Sequence, residues 1–303
     1  MPISTTGARP LSNQTTFNTY GKRSAYNCFA VVVAASLILQ LALSLVIMNG
    51  NDVTVIWANG VYSVALALTA YVYARTVKAD IVTVANIRKF DYRHLLFGLA
   101  FVLLLVNVMT PVNAWLGDLI EAAGLKRPSV GIVISSETLP AVIIVACVVA
   151  AFTEEFVFRG MIGNTLAESG IKGIALSGLL FSLFHMNPAQ TVHQFVLGCA
   201  LTIAVRRGGF FTCVALHMFN NILAVVLSLT LEPTGFYSDH PLEIFFVSLI
   251  LLLVLCAVYV KVFPFKKNNE GGQKPDGYVA VINAGFILAV IFCAAMWVLV
   301  LFS

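Results

Sequence analysis

Three groups of polar residues interrupt otherwise apolar stretches of this sequence. In "AFTEEFVFRG", residues 151–160, Glu154 and Glu155 are adjacent and Arg159 lies four residues after Glu155. In "FSLFHMN", Phe181 and His185 are i, i+4, and in "ALHMFNN" so are His217 and Asn221. Residues with that spacing share one face of a helix. Glu155 before Arg159 is the favourable order for an ion pair along a helix. Glu154 is turned away from Glu155 by about 100°, and its own i+4 position is Phe158. One carboxylate is therefore expected to be structural and the other to be a working group. A carboxylate, two imidazoles and a carboxamide are the parts needed to hydrolyse an amide. Glu154 would take a proton from water. His185 or His217 would orient that water or pass the proton on, and a neutral histidine or Asn221 would donate to the oxyanion.

Each group alone has a plainer reading. Glu154, Glu155 and Arg159 would be the wet cytoplasmic end of a helix. His185 would be an interfacial hydrogen-bonding residue, and His217 with Asn221 a polar contact between helices. Their depth in the chain favours the sharper reading. A charge at the centre of a bilayer costs at least about 2.5–3.5 kcal/mol, so charged residues there are expected to be paired or to face a wet cavity. Counted at 1.5 Å per residue from the nearest cytoplasmic residues, the three groups lie about 15–20 Å deep. They are expected to meet in one layer.

The elements that must position them are membrane helices. Hydrophobic residues make up 59% of the 303 residues and charged residues 11%, against about 25% charged in ordinary soluble domains. The mean hydropathy is +0.92. Nine apolar runs suit bilayer spans: Tyr26–Met48, Val55–Arg75, Leu95–Leu116, Leu139–Ile162, Gly173–Met186, His193–Val205, Phe210–Leu231, Ile244–Val262 and Val279–Phe302. The fifth and sixth are short. The fold expected is an all-α, polytopic bundle of about eight to nine helices, with the active site in the core of helices 4, 5 and 7. Residues 1–23 read as a disordered cytoplasmic tail and 24–303 as a single transmembrane domain. Its catalytic core spans about 139–231, and a Gly, Lys and Asn-rich cytoplasmic linker spans 266–277. Pro111 is expected to kink or end the third helix.

Lysine and arginine concentrate in alternate loops, which puts the N-terminus in the cytoplasm and the C-terminus outside. The net charge of +4 thus reports topology and implies no nucleic-acid partner. The expected partners are the lipid bilayer and a membrane protein or peptide substrate. No cleavable signal peptide is evident, and the first run reads as a permanent anchor. The six cysteines contain no CxxC pair and read as small packed residues. His94 and His240 read as interfacial or loop residues, and His193 as a bland residue at the start of helix 6. Asn220 is off the His217–Asn221 face. Gly178 and Gly198 are expected to permit close helix approach.

EExxxR, FxxxH and HxxxN on successive membrane helices resemble the CPBP family of CAAX-type prenyl endopeptidases and bacteriocin-processing or self-immunity proteins. The motifs here are "EEFVFR" (Glu154–Arg159), "FSLFH" (Phe181–His185) and "HMFNN" (His217–Asn221), within about residues 140–230. The resemblance implies an intramembrane protease. Glu154 would be the water-activating carboxylate, Glu155 and Arg159 its support, His185 and His217 the flanking histidines and Asn221 the oxyanion residue. The family is described both as metalloproteases and as metal-free glutamate enzymes. A zinc ion would be held by Glu154, His185 and His217, a known donor set, although no HExxH motif is present. The sequence leaves both routes open. It also leaves open a proton- or ion-coupled transporter, since buried Glu, His and Asn suit a proton relay, and a catalytically silent immunity or chaperone partner.

Overall fold

The computed structural model describes residues 20–128, 134–264 and 282–302. Among them, nine long helical segments follow the apolar runs: α1 (Lys22–Asn49), α2 (Asp52–Thr76), α3 (Tyr92–Ala122), α4 (Leu139–Ser169), α5 (Ile171–Phe184), α6 (Thr191–Arg207), α7 (Phe210–Thr230), α8 (Pro241–Val262) and α9 (Ala284–Leu299). There is no strand among the described residues. Seven segments are long and apolar enough to cross a membrane, while α5 and α9 are shorter. The protein is a multi-pass membrane protein. The shortness expected of the fifth run holds. The sixth run, with its 3-10 lead-in, makes a 20-residue segment, Pro188–Arg207.

Local sequence sets the helix ends. Asn51 caps α2 by accepting from the Thr54 amide at 2.9 Å, and Asp91 caps α3 by accepting from the Arg93 amide at 3.0 Å. The Arg93 side chain also bonds Asp91 and holds its carboxyl down to about 2, so this cap stays charged at any ordinary pH. Pro111 does not end α3, which continues to Ala122. The loss of one backbone donor is tolerated because the residue is buried among neighbouring helices. Gly209, at φ +95°, makes the short turn between α6 and α7. A Cβ there would lie 1.8 Å from the Lys89 carbonyl oxygen. The expected tail is described only from Tyr20, which is buried and donates from its hydroxyl to the Met161 carbonyl at 2.8 Å. The linker at 266–277 lies outside the described residues.

The centre of the bundle is α4. Half of its apolar window is buried, against 17% for α1 and α8. It packs against α1, α2, α5, α6 and α7, while α3 and α8 pair on one flank and α9 leans on α1. The α4 backbone is irregular. π-helical segments Ile143–Val149 and Phe156–Gly163 flank the α turn Ala150–Glu155, which carries both glutamates. Wide turns of this kind recur at functional sites.

Helices α5 and α6 form a close hairpin. A Cβ on Gly178 would lie 2.6 Å from Cys199 Sγ and 2.8 Å from the Phe195 carbonyl, and one on Gly198 would lie 2.9 Å from Gly178 Cα. The expected small-residue contact is thus in place. Gly178→Ala should overpack it and lower stability by about 1–3 kcal/mol, measured by denaturation in mixed micelles. Unchanged stability would show that the helices do not need this approach.

Candidate functional site

The length of α5 decides where its histidine sits. Fourteen residues rise only about 21 Å, short of a hydrocarbon core about 30 Å thick. The helix stops because Asn187 precedes Pro188 and is extended, with φ −118° and ψ 97°. His185, the C-cap of α5, is therefore left inside the protein rather than at the far interface. Non-helical backbone at such depth is tolerated where protein buries it or a cavity borders it.

Glu154 and Glu155 lie in different environments. Glu155 is fully buried and accepts three bonds. Oε1 takes Arg159 Nη1 and His217 Nδ1, each at 2.7 Å, and Oε2 takes the Cys213 thiol. Arg159 is also fully buried. Its Nε and Nη2 have no hydrogen-bond partner among the described residues. Its guanidinium carbon instead lies 3.8 Å from the ring centre of Phe181, where a desolvated cation–π contact contributes about 2 kcal/mol. Phe181 has a second task, since its carbonyl accepts from His185 Nδ1 at 2.8 Å. The ion pair expected from spacing alone is present, and its further partners on α5 and α7 lock the three motifs together.

Glu154 is partly open, with 27% of its side chain exposed. Its Oε2 faces His185 Nε2 at 3.5 Å and His217 Nε2 at 4.0 Å and makes no hydrogen bond. Tautomers follow from the partners. A carbonyl and a carboxylate only accept, so Nδ1 carries the hydrogen in both rings. In their neutral forms both Nε2 atoms then present lone pairs to Glu154. In that tautomer the one N–H of each neutral ring is engaged, by the Phe181 carbonyl for His185 and by the Glu155 carboxylate for His217. A water molecule can bridge the set by donating one hydrogen to the carboxylate and one to an imidazole. A small cavity of about 30 Å³ borders Glu154 on the side of Tyr62, Ser63 and Thr153; the rest of its lining is apolar and neither histidine is part of it.

The seventh helix carries more than the expected pair. Asn221 Nδ2 donates to the Ala146 carbonyl at 2.9 Å, and Asn221 Oδ1 accepts from Asn220 at 3.0 Å. Asn220 Oδ1 in turn bonds His193 Nε2 at 3.3 Å. One donor of Asn221 is therefore held on the first π segment of α4. Three residues were underrated by sequence: Cys213, read as packing, and His193 and Asn220, read as bland or off-face. Cys213 precedes His217 by four, so helical spacing already placed it on the same side.

Glu154, His185 and His217 were expected to form the ligand set if a zinc ion were used. Their donor chemistry suits a metal, with two bare imidazole nitrogens oriented by carboxylate and carbonyl partners. Among the described residues no group of three His, Cys, Asp or Glu side chains can hold a metal ion. Each ring nitrogen instead faces the same carboxylate oxygen.

With this geometry in place, the comparisons have a specific meaning. Residues 136–223 match the family model described as Rce1-like, type II CAAX prenyl endopeptidase. No curated protein and no solved structure matches the chain. The matched segment is under a third of the 303 residues, yet it runs from just before α4 to just after Asn221. It therefore contains all three motifs and every hydrogen bond and ion pair described for the site, while the cavity residues of α2 lie outside it. The resemblance to CAAX-type prenyl endopeptidases holds for this segment. Helices α1–α3, α8 and α9 lie outside the match.

Proposed function

We propose that this protein is an intramembrane endopeptidase that hydrolyses a peptide bond near the cytoplasmic face, using water activated by Glu154. The observation that carries the reading is the split between adjacent carboxylates. Glu155 is saturated by Arg159, His217 and Cys213, while Glu154 is partly open, its Oε2 has no hydrogen-bond partner among the described residues, and two imidazole nitrogens face it. Glu154 takes a proton as the water oxygen attacks the peptide carbonyl carbon. Asn221 keeps a second N–H for the oxyanion, and a histidine that has gained a proton on Nε2 is a further donor. Glu154 then hands its proton to the leaving nitrogen as the C–N bond breaks, which yields a carboxylic acid and an amine. The substrate is a membrane protein or membrane-inserted peptide. The bias of lysine and arginine supports a cytoplasmic N-terminus and, with nine spans, an outer C-terminus.

The test is cleavage of a membrane peptide by the purified protein in vesicles, with products identified by mass spectrometry. The wild type should cut at defined bonds. His185→Ala and His217→Ala should each slow cleavage at least about 100-fold. A chelator should leave the rate unchanged, because a metal-free set has nothing to lose. Chelator inhibition reversed by added zinc would replace this route by a metal-assisted one. Proton transport by the wild type without cleavage would favour a transporter.

A further inference from the structure

Outside the matched segment, a second polar cluster lies beside Glu154. Ser36 and Gln40 on α1 and Tyr62 on α2 bond one another in the middle of otherwise apolar helices. The Ser36 and Tyr62 hydroxyls are 2.6 Å apart, and Gln40 Nε2 reaches Ser36 Oγ at 3.3 Å and Tyr62 Oη at 3.4 Å. Counted from the ends of their helices, Ser36, Tyr62 and Glu154 all lie roughly 20 Å deep. Ser36 is buried and Tyr62 partly so, but Gln40 is exposed on the outer surface of α1. Its carboxamide oxygen accepts no hydrogen bond among the described residues. Tyr62 and the adjacent Ser63 border the same small cavity as Glu154. Polar groups thus extend from the exposed surface of α1 to the edge of the cavity that Glu154 also borders.

We propose that Ser36, Gln40, Tyr62 and Ser63 form a binding subsite for unwound peptide backbone. A membrane-inserted segment would enter sideways between α1 and α2 to reach Glu154. The inference rests on the protease reading. A peptide bond inside a helix has its N–H and C=O engaged, so the segment must unwind before attack. Within the hydrocarbon layer each backbone group freed in that way costs several kcal/mol unless the protein replaces its partner. A carboxamide and three hydroxyls can both donate and accept, which suits a main chain and gives no purchase to a lipid tail. A carboxamide exposed to lipid with unused hydrogen-bonding capacity has the same cost in the resting protein, and an incoming backbone N–H would remove it.

The test uses full-length protein in phosphatidylcholine vesicles with a synthetic membrane-spanning peptide that carries a Gly-Pro centre. Gln40→Leu and Tyr62→Phe, both compatible with an apolar setting, should raise KM about tenfold while kcat falls less than threefold. Leu45→Ala, a lipid-exposed change further along α1, should alter neither. An unchanged KM in both polar variants overturns the subsite and leaves the protease reading intact. The second arm does not need turnover. A photoreactive benzoylphenylalanine in place of Gln40, in a Glu154→Gln background, should cross-link to the unwound centre of the peptide. Cross-links confined to lipid, or spread evenly along the peptide, overturn the proposal. If the wild type cleaves no peptide, the hydrolytic reading fails by itself and the cross-link still decides the subsite.

Discussion

Glu154→Gln should abolish peptide cleavage while leaving the fold in place. The expected loss in kcat is about 10³-fold or more, within the range that general acid–base catalysis contributes and equal to roughly 4 kcal/mol of barrier. Stability should change by less than about 1 kcal/mol, as is usual for partly exposed sites free of buried networks. The reason is local. Glu154 Oε2 has no hydrogen-bond partner among the described residues, and it faces only ring nitrogens at 3.5 and 4.0 Å. A glutamine fits the same space and can donate an N–H to either ring, but it cannot take a proton from water. Glu155→Gln should behave in the opposite way, with a clear loss of stability, because Arg159, His217 and Cys213 all depend on that carboxylate. Turnover assays and denaturation of both variants in the same micelles check the contrast. If Glu154→Gln keeps more than a tenth of the wild-type rate, Glu154 is not the base.

Much of this arrangement was legible in the sequence because it depends on short-range periodicity. The seventh run, read as Phe210–Leu231, folds as Phe210–Thr230, and the first, read as Tyr26–Met48, folds as Lys22–Asn49. Composition and turn residues were enough for both. The Glu155–Arg159 pair follows from one helical turn. What spacing could not supply is the direction of each ring. His217 turns Nδ1 toward Glu155 and His185 turns Nδ1 toward its own helix, and only a tertiary contact and a helix end fix those choices. Without them the tautomer of each ring stays open. The π segments of α4 have no propensity signal, yet one of them supplies the Ala146 carbonyl that holds Asn221. Of the two outcomes expected at Pro111, an end of the helix does not occur, because packed membrane helices tolerate the missing donor that is hard to replace in water. Ser36, Gln40 and Tyr62 were invisible as a group because they are spread over two runs that carry no motif.

The second large effect expected concerns stability. Arg159→Met should destabilise the protein by about 3–5 kcal/mol, the usual cost of leaving one member of a buried ion pair without its partner. Methionine fills much of the same volume, so the loss reports charge rather than a cavity. Arg159→Lys should recover only part of it. An ammonium cannot lie flat on the Phe181 ring while also reaching Glu155, and at planar or stacked sites lysine is a poor substitute for arginine. The double variant Glu155→Gln with Arg159→Met should be more stable than the sum of its single changes predicts, by up to about 3 kcal/mol, since neither charge is then stranded. Denaturation midpoints of the four proteins in one micelle system complete the cycle. Strict additivity would mean that the pair does not act as a unit. The link to function runs through Phe181, whose ring lies against Arg159 and whose carbonyl holds His185. When the guanidinium is lost, the ring loses its support and the His185 imidazole its fixed angle toward Glu154. Arg159→Met should therefore lower kcat even in the fraction of molecules that stay folded, although Arg159 itself never meets the substrate.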